Sequence, residues 1–135
     1  MRVFETVDRV ALCDTDASGI VHFMFVLRFF EIGEREAFRM LDVKVGDPAR
    51  SGIHLPRVHV EISYHHPLFA DDLITIQTQC SRIGRTSMEW DHQLLRDGVS
   101  CVSGTMTVVL VDPETQRPMM IPDAWREFFA SLPTR

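Results

Sequence analysis

Two carboxylates in a D-x-D spacing open the stretch Asp14-Thr15-Asp16-Ala17-Ser18-Gly19, and an apolar, aromatic-rich run from Ile20 to Phe30 follows it at once. A loop aspartate with an ordinary pKa of about 3.9 is ionised at neutral pH. Such a group can attack an acyl carbonyl or take a proton from water. A helix starting just beyond the loop offers N–H groups without internal partners, a ready place for a developing oxyanion. Gly19 suits a tight turn where a substrate approaches the backbone. Asp and Ser are equally at home as capping and turn residues, so composition alone leaves Asp14, Asp16 and Ser18 open between chemistry and structure.

A second constellation is cationic. Arg82 and Arg85 flank Gly84, with Thr86 and Ser87 following, in what reads as a turn between strands. Two guanidinium groups there could grip a phosphate, with hydroxyl contacts beside them; a solvated turn is the plain alternative. Glu31 is a carboxylate on a helix that reads as buried, so it needs a partner or a task, and Arg35 offers an i,i+4 partner. The six histidines (His22, His54, His59, His65, His66 and His92) form no H-x-x-x-H or H-E-x-x-H motif. If residues 57–66 are a strand, His65 and His66 point to opposite faces, so no metal site is expected. Cys13 reads as a small hydrophobe rather than a nucleophile.

The elements that position these groups follow from periodicity. Residues 3–12 read as a first strand, 14–19 as a loop, and 21–40 as a long helix. Arg28, Glu31, Arg35 and Arg39 hold one side of that helix, while Phe23, Met24, Phe25, Val26, Leu27, Phe29 and Phe30 make its first half apolar nearly all round. Such a helix is expected to be buried. Gly46, Pro48, Gly52 and Pro56 mark a connection, after which the period becomes two: Val58, Val60, Ile62 and Tyr64 alternate with polar residues. Further strands pass through Ile74–Cys80, Met88–Leu94 and about residues 100–111. Asp97-Gly98 is a hairpin signal, and Pro122 begins a short terminal helix. Strands that do not alternate with helices imply an α+β fold with an antiparallel sheet. A greasy helix suits a curved sheet wrapped around it, and the open sheet edges imply pairing between copies.

Length and balance narrow the class. The 135 residues, 45% hydrophobic and 24% charged, suit one domain over 1–135 with a real core. A net charge of −5 argues against a nucleic-acid partner. The N-terminus lacks a signal-peptide pattern, and Ile20–Phe30, interrupted by His22 and Arg28, is too short for a membrane span. Three scattered cysteines fit a reducing compartment, so a cytoplasmic location is expected.

The stretch from Asp14 to Val21 followed by an aromatic helix resembles the D-x-D-x-x-G-x-V signature of hot-dog-fold acyl-CoA thioesterases, of the 4-hydroxybenzoyl-CoA and Tol–Pal-cluster types. Phe30-Glu31 with Glu34-Arg35-Glu36, and Asp71-Asp72-Leu73-Ile74 with the segment Arg82 to Ser87, agree with the same proteins. The resemblance implies a five-stranded antiparallel sheet around a central helix. It also implies homodimers or homotetramers with sites at subunit interfaces, and hydrolysis of an acyl-CoA substrate without a cofactor. It assigns the catalytic carboxylate to Asp16, leaving Asp14 structural, and the polarising amide to the backbone N–H of Phe23. Phosphate-binding cations fall at Arg82 and Arg85, with Thr86 and Ser87 beside them; His22 and Glu31 are further substrate-binding candidates. The Tol–Pal type carries His where this chain has Phe23. His22 lies one position earlier, about 100° away on a helix, which leans the reading toward the hydroxybenzoyl type. Two other classes stay in view. A hot-dog dehydratase or hydratase would carry His-Phe-Pro-Gly or Asp-x-Asn-Pro-x-His, and His22-Phe23 continues here as Met24-Phe25. A non-catalytic acyl-CoA or partner-binding module would keep the same pocket without turnover.

Overall fold

The computed structural model describes residues 2–46, 49 and 52–130. Among the described residues the elements run β1 (Val3–Arg9), α1 (Val26–Met40), β2 (Arg57–Tyr64), β3 (Leu73–Ile83), β4 (Ser87–Arg96), β5 (Val99–Val109) and α2 (Asp123–Ala130), with a 3-10 turn at Leu12–Asp14. The strands form one antiparallel sheet in the order β1-β3-β4-β5-β2. Asp97 and Gly98 both take positive φ, 52° and 77°, as a two-residue type I′ hairpin between β4 and β5 requires.

Alternation sets the inner face. Ile76, Thr78 and Cys80 on β3 lie opposite Leu94, His92 and Trp90 on β4, and these six are buried beneath α1. The core has two apolar clusters. Phe29, Phe30, Ile74, Ile76, Leu94 and Val102 belong to the one under the first half of α1. Phe38, Trp90, Trp125 and Phe129 belong to the other, where α2 joins. Helix α1 can approach the sheet closely because small residues make room. A Cβ on Gly33 would overlap the Thr78 hydroxyl, and one on Gly104 would meet the Phe30 ring and the Glu61 carbonyl. A polar seam of Glu34, Thr78 and His92 is also buried; Phe30 stacks on His92 at 4.7 Å and 12°, and Thr78 Oγ1 lies 3.1 Å from His92 Nδ1.

The expected helix from residue 21 begins instead at Val26. Phe23, Met24 and Phe25 occupy turns and are 63%, 58% and 43% exposed, and Leu27 is exposed too. Between Phe23 and Phe30 only Val26, Phe29 and Phe30 are buried, because only their side of the helix meets the sheet. Strand β2 is an edge strand whose Val58, Val60 and Tyr64 are exposed, with a register irregularity between Arg57 and His59. No helix among the described residues is long and apolar enough to cross a membrane. Cys13, Cys80 and Cys101 are free thiols.

Candidate active site

The D-x-D loop is built from inside outward. Asp14 is buried at 3% exposure and accepts from the Ala11 N–H. Arg28 donates to both its oxygens, Nε to Oδ1 at 3.0 Å and Nη2 to Oδ2 at 2.6 Å. This two-pronged bond ties the loop to the first turn of α1, so Asp14 is structural. Asp16 sits two residues on, partly exposed, at the head of a turn in which Gly19 N–H donates to the Asp16 carbonyl and Asp16 N–H to the Ile20 carbonyl. Gly19 has φ of +84°, the left-handed region that other residues rarely adopt.

Ser18 donates to Asp16 Oδ1 from both its hydroxyl and its backbone N–H. These bonds, the hydroxyl's foremost, hold the Asp16 carboxyl below its ordinary value of 3.8, and the nearby His22 adds to the effect. Asp16 is therefore an anion at neutral pH, with Oδ2 left to act. It borders a cavity of about 430 Å³ shared with Phe23, Tyr64, His65, His66 and Leu68.

The turn after the loop is wired by side chains. His22 Nδ1 accepts the Met24 N–H at 3.2 Å, and Tyr64 Oη donates to the Phe23 carbonyl at 2.7 Å. Among the described residues no acceptor takes the Phe23 N–H, and Phe23 lines the same cavity as Asp16. An ionised carboxylate and a residue with an unengaged amide thus line one pocket, group types that could attack and polarise an acyl carbonyl. Sequence reasoning missed Tyr64, a strand-end tyrosine that passes for core. It also misplaced His65 and His66: β2 ends at Tyr64, both N–H groups donate to the Cys101 carbonyl, and both residues line the cavity.

The loop is backed by the chain leading into β3. Val21 N–H donates to the Leu68 carbonyl and Val10 N–H to that of Asp72. Asp72 holds this support through the Phe69 N–H and Arg96 Nη1, at 2.8 and 2.9 Å. The cations expected to bind phosphate lie elsewhere. Arg82 and Arg85 are exposed at the β3–β4 turn, where Arg126 Nη2 donates to the Gly84 carbonyl at 2.8 Å; Thr86 and Ser87 are half-buried there. Strand β3 carries 11 residues and rises ~3.3 Å per residue, so roughly 30 Å of sheet separates that turn from Asp16. One chain does not bring the two together.

Glu31 differs from expectation as well. It is exposed, and the buried carboxylate of α1 is Glu34, at 1% exposure. Burial pushes the Glu34 carboxyl from 4.5 up to about 7, against the pull of Arg57. Arg57 Nη1 lies 3.1 Å from Glu34 Oε1, close enough for an ion pair, but its angle leaves both Glu34 oxygens without a hydrogen bond. Arg57 instead donates to the Leu55 carbonyl at 3.0 Å. A second cavity, of about 230 Å³, opens over this pair.

A curved antiparallel sheet around one central helix, with a D-x-D loop at the helix entrance, defines the hot-dog class. The chain belongs to the Thioesterase-like superfamily, whose family model matches residues 10–129. It is 31% identical over 112 residues to the Synechocystis protein sll0410, which carries the provisional name of an esterase; the match covers 82% of this chain and 68% of that one. It is 24% identical over 117 residues to a 1,4-dihydroxy-2-naphthoyl-CoA hydrolase of Synechococcus elongatus, covering 85% and 86%. In three dimensions it is similar to the Synechocystis 1,4-dihydroxy-2-naphthoyl-CoA thioesterase Slr0204, with a TM-score of 0.85 at 17% identity over 94% and 95% of the two chains.

Proposed function

We propose that this protein hydrolyses the thioester of an acyl-coenzyme A, releasing the free acid and coenzyme A. The observation that carries the reading is the pairing of the ionised Asp16 carboxylate with the unengaged Phe23 N–H around one cavity. Membership of the thioesterase-like family and the thioester substrates in its relatives' names support it. The substrate carbonyl accepts a hydrogen bond from the Phe23 N–H, which stabilises the tetrahedral oxyanion. Asp16 Oδ2 then acts in one of two ways. As nucleophile it forms a mixed anhydride while coenzyme A leaves as the thiolate, and water cleaves the anhydride. As base it takes a proton from water, whose oxygen attacks the carbonyl directly.

The working unit in this reading is a homo-oligomer. Asp16 and the Arg82–Arg85 turn occupy opposite ends of the sheet, while β2 is an exposed edge. Antiparallel pairing of β2 with the same strand of a second copy swaps the ends across a two-fold axis. It brings the partner's phosphate-gripping turn to the end where Asp16 stands, and it covers the exposed faces of Val58, Val60 and Tyr64.

Asp16→Asn tests the mechanism. The change keeps the shape and the Ser18 contacts but removes the charge, so turnover falls at least about 10²-fold while folding is kept. A folded variant with near-normal thioester hydrolysis would remove Asp16 from the chemistry. The same assay separates the hydrolase from a module that only binds acyl-CoA, which would release no thiol.

A further inference from the structure

His22 does not line the cavity that Asp16 and Phe23 share, yet three of its atoms are engaged in the turn between them. Its N–H donates to the Asp14 carbonyl at 2.9 Å, which ties it to the buried, Arg28-bound side of the D-x-D loop. Its carbonyl accepts the Phe25 N–H at 2.9 Å, and its Nδ1 accepts the Met24 N–H at 3.2 Å. Residues 23–25 run straight into α1, where Leu27 N–H donates to the Met24 carbonyl and Arg28 N–H to that of Phe25.

The first amides of a helical stretch have no partners within it, and a cap residue supplies one from its side chain. His22 holds that place. It takes the second and third amides of the stretch, so of the three that follow it the Phe23 N–H is the one left over. Histidine is not among the usual caps, whereas asparagine is, and its side-chain oxygen stands where Nδ1 stands. The imidazole adds a flat surface: it stacks on the exposed Phe23 ring at 4.6 Å and 23°, with the Phe25 ring 5.3 Å away. A nitrogen that accepts a hydrogen bond carries no proton, so the neutral ring holds its proton on Nε2. Resting on the hydrolase reading, we propose that His22 is a positioning residue: it caps the turn through Nδ1 and so presents the Phe23 N–H to the substrate carbonyl, taking no part itself in substrate binding or proton transfer.

Two replacements separate capping from the other uses of an imidazole. His22→Asn keeps an acceptor in the Nδ1 place and loses the ring and its proton chemistry, while His22→Phe keeps a stacking ring and loses the acceptor. Thiol release is measured with 4-hydroxybenzoyl-, hexanoyl- and palmitoyl-CoA, and the variants are compared on the one that the unaltered protein cleaves fastest. Removing an oxyanion donor outright costs about 10²–10³-fold, and misplacing one costs part of that. The kcat of His22→Phe therefore falls at least about tenfold with KM within twofold, whereas His22→Asn loses less than about threefold. A folded His22→Phe with normal kcat would overturn the proposal. So would His22→Asn falling as far as His22→Phe, which would assign the ring to proton transfer, or a rise in KM alone in both, which would make His22 a substrate contact. Nitrogen-15 NMR of the imidazole rings decides the cap without any active variant. The signal missing from His22→Asn identifies His22, and at mildly alkaline pH its shifts place the proton on Nε2; a proton on Nδ1 would refute the cap. Absence of thiol release from all three substrates by the unaltered protein would count against the hydrolase reading itself, with the ring proton still deciding the cap.

Discussion

Replacing Glu34 by Gln should tilt the pH profile of stability, because Glu34 and His92 oppose one another in the unaltered protein. In the fold Glu34 keeps its proton up to about 7, against 4.5 when unfolded. The raised value means that its contribution is complete below 4.5 and is lost as pH climbs toward 7. His92 behaves oppositely. Burial, helped by Arg57, lowers its value from 6.5 to about 3, so its contribution is complete above 6.5 and is lost as pH falls toward 3. Between pH 4.5 and 6.5 the native state holds one proton on Glu34 and none on His92, while the unfolded chain holds the reverse. Each group alone gives a slope of about 1.4 kcal/mol per pH unit, and the two slopes cancel. Glu34→Gln leaves the His92 slope, so this variant loses about 3 kcal/mol relative to the unaltered protein between pH 6.5 and 4.5. His92→Gln leaves the Glu34 slope and gains a similar amount over the same fall. Urea melts at fixed protein concentration read this as a midpoint change of roughly 1–2 M, large beside the error of extrapolation. Profiles of both variants parallel to that of the unaltered protein would show that neither group carries its proton as the buried seam requires.

Arg85→Ala raises KM for acyl-CoA by a charge-assisted contact worth about 1–3 kcal/mol and leaves an acyl-pantetheine substrate unaffected; equal losses on both would make the Arg85 role structural. Tyr64→Phe frees the Phe23 carbonyl and loosens the turn that presents the Phe23 N–H, lowering kcat about tenfold with KM within twofold. A variant that changes KM and spares kcat would show that Tyr64 only lines the pocket.

The fold was legible where sequence alternation and turn chemistry agree. Asp97-Gly98 with its two flanking runs specifies the β4–β5 hairpin, and the inner rows of β3 and β4 follow the period of two. The D-x-D loop was legible as a loop because Asp, Ser and Gly have little other local use. The start of α1 was not, because an apolar run does not say which surface covers it. Phe23, Met24 and Phe25 are apolar yet exposed, in keeping with a site that borders another copy. The helix carboxylate was misassigned by phase: Glu31 and Glu34 are one turn apart, and only the crossing of α1 over the sheet decides which faces inward. The separation of Arg85 from Asp16 was equally hidden, since a motif match carries no distances. Tyr64 acts through its hydroxyl on a carbonyl 41 residues away, a contact no local pattern encodes.

The way β1 joins the sheet bears on the order of folding. Strands β3, β4 and β5 pair through short turns and can form as soon as the chain reaches them. By contrast, β1 reaches its neighbour β3 across about half the chain; Gln77 bonds Glu5 over 72 residues. Closing so long a loop is entropically slow, and the enclosed segment contains the D-x-D loop and all of α1. Both flanks of the loop are anchored to the approach to β3, Val10 through Asp71 and Asp72 and Val21 through Leu68, so it takes its working shape only when that closure is made. A chain emerging during synthesis therefore holds Asp16 through its first half in an unformed loop, and activity arises late, after the meander is already in place.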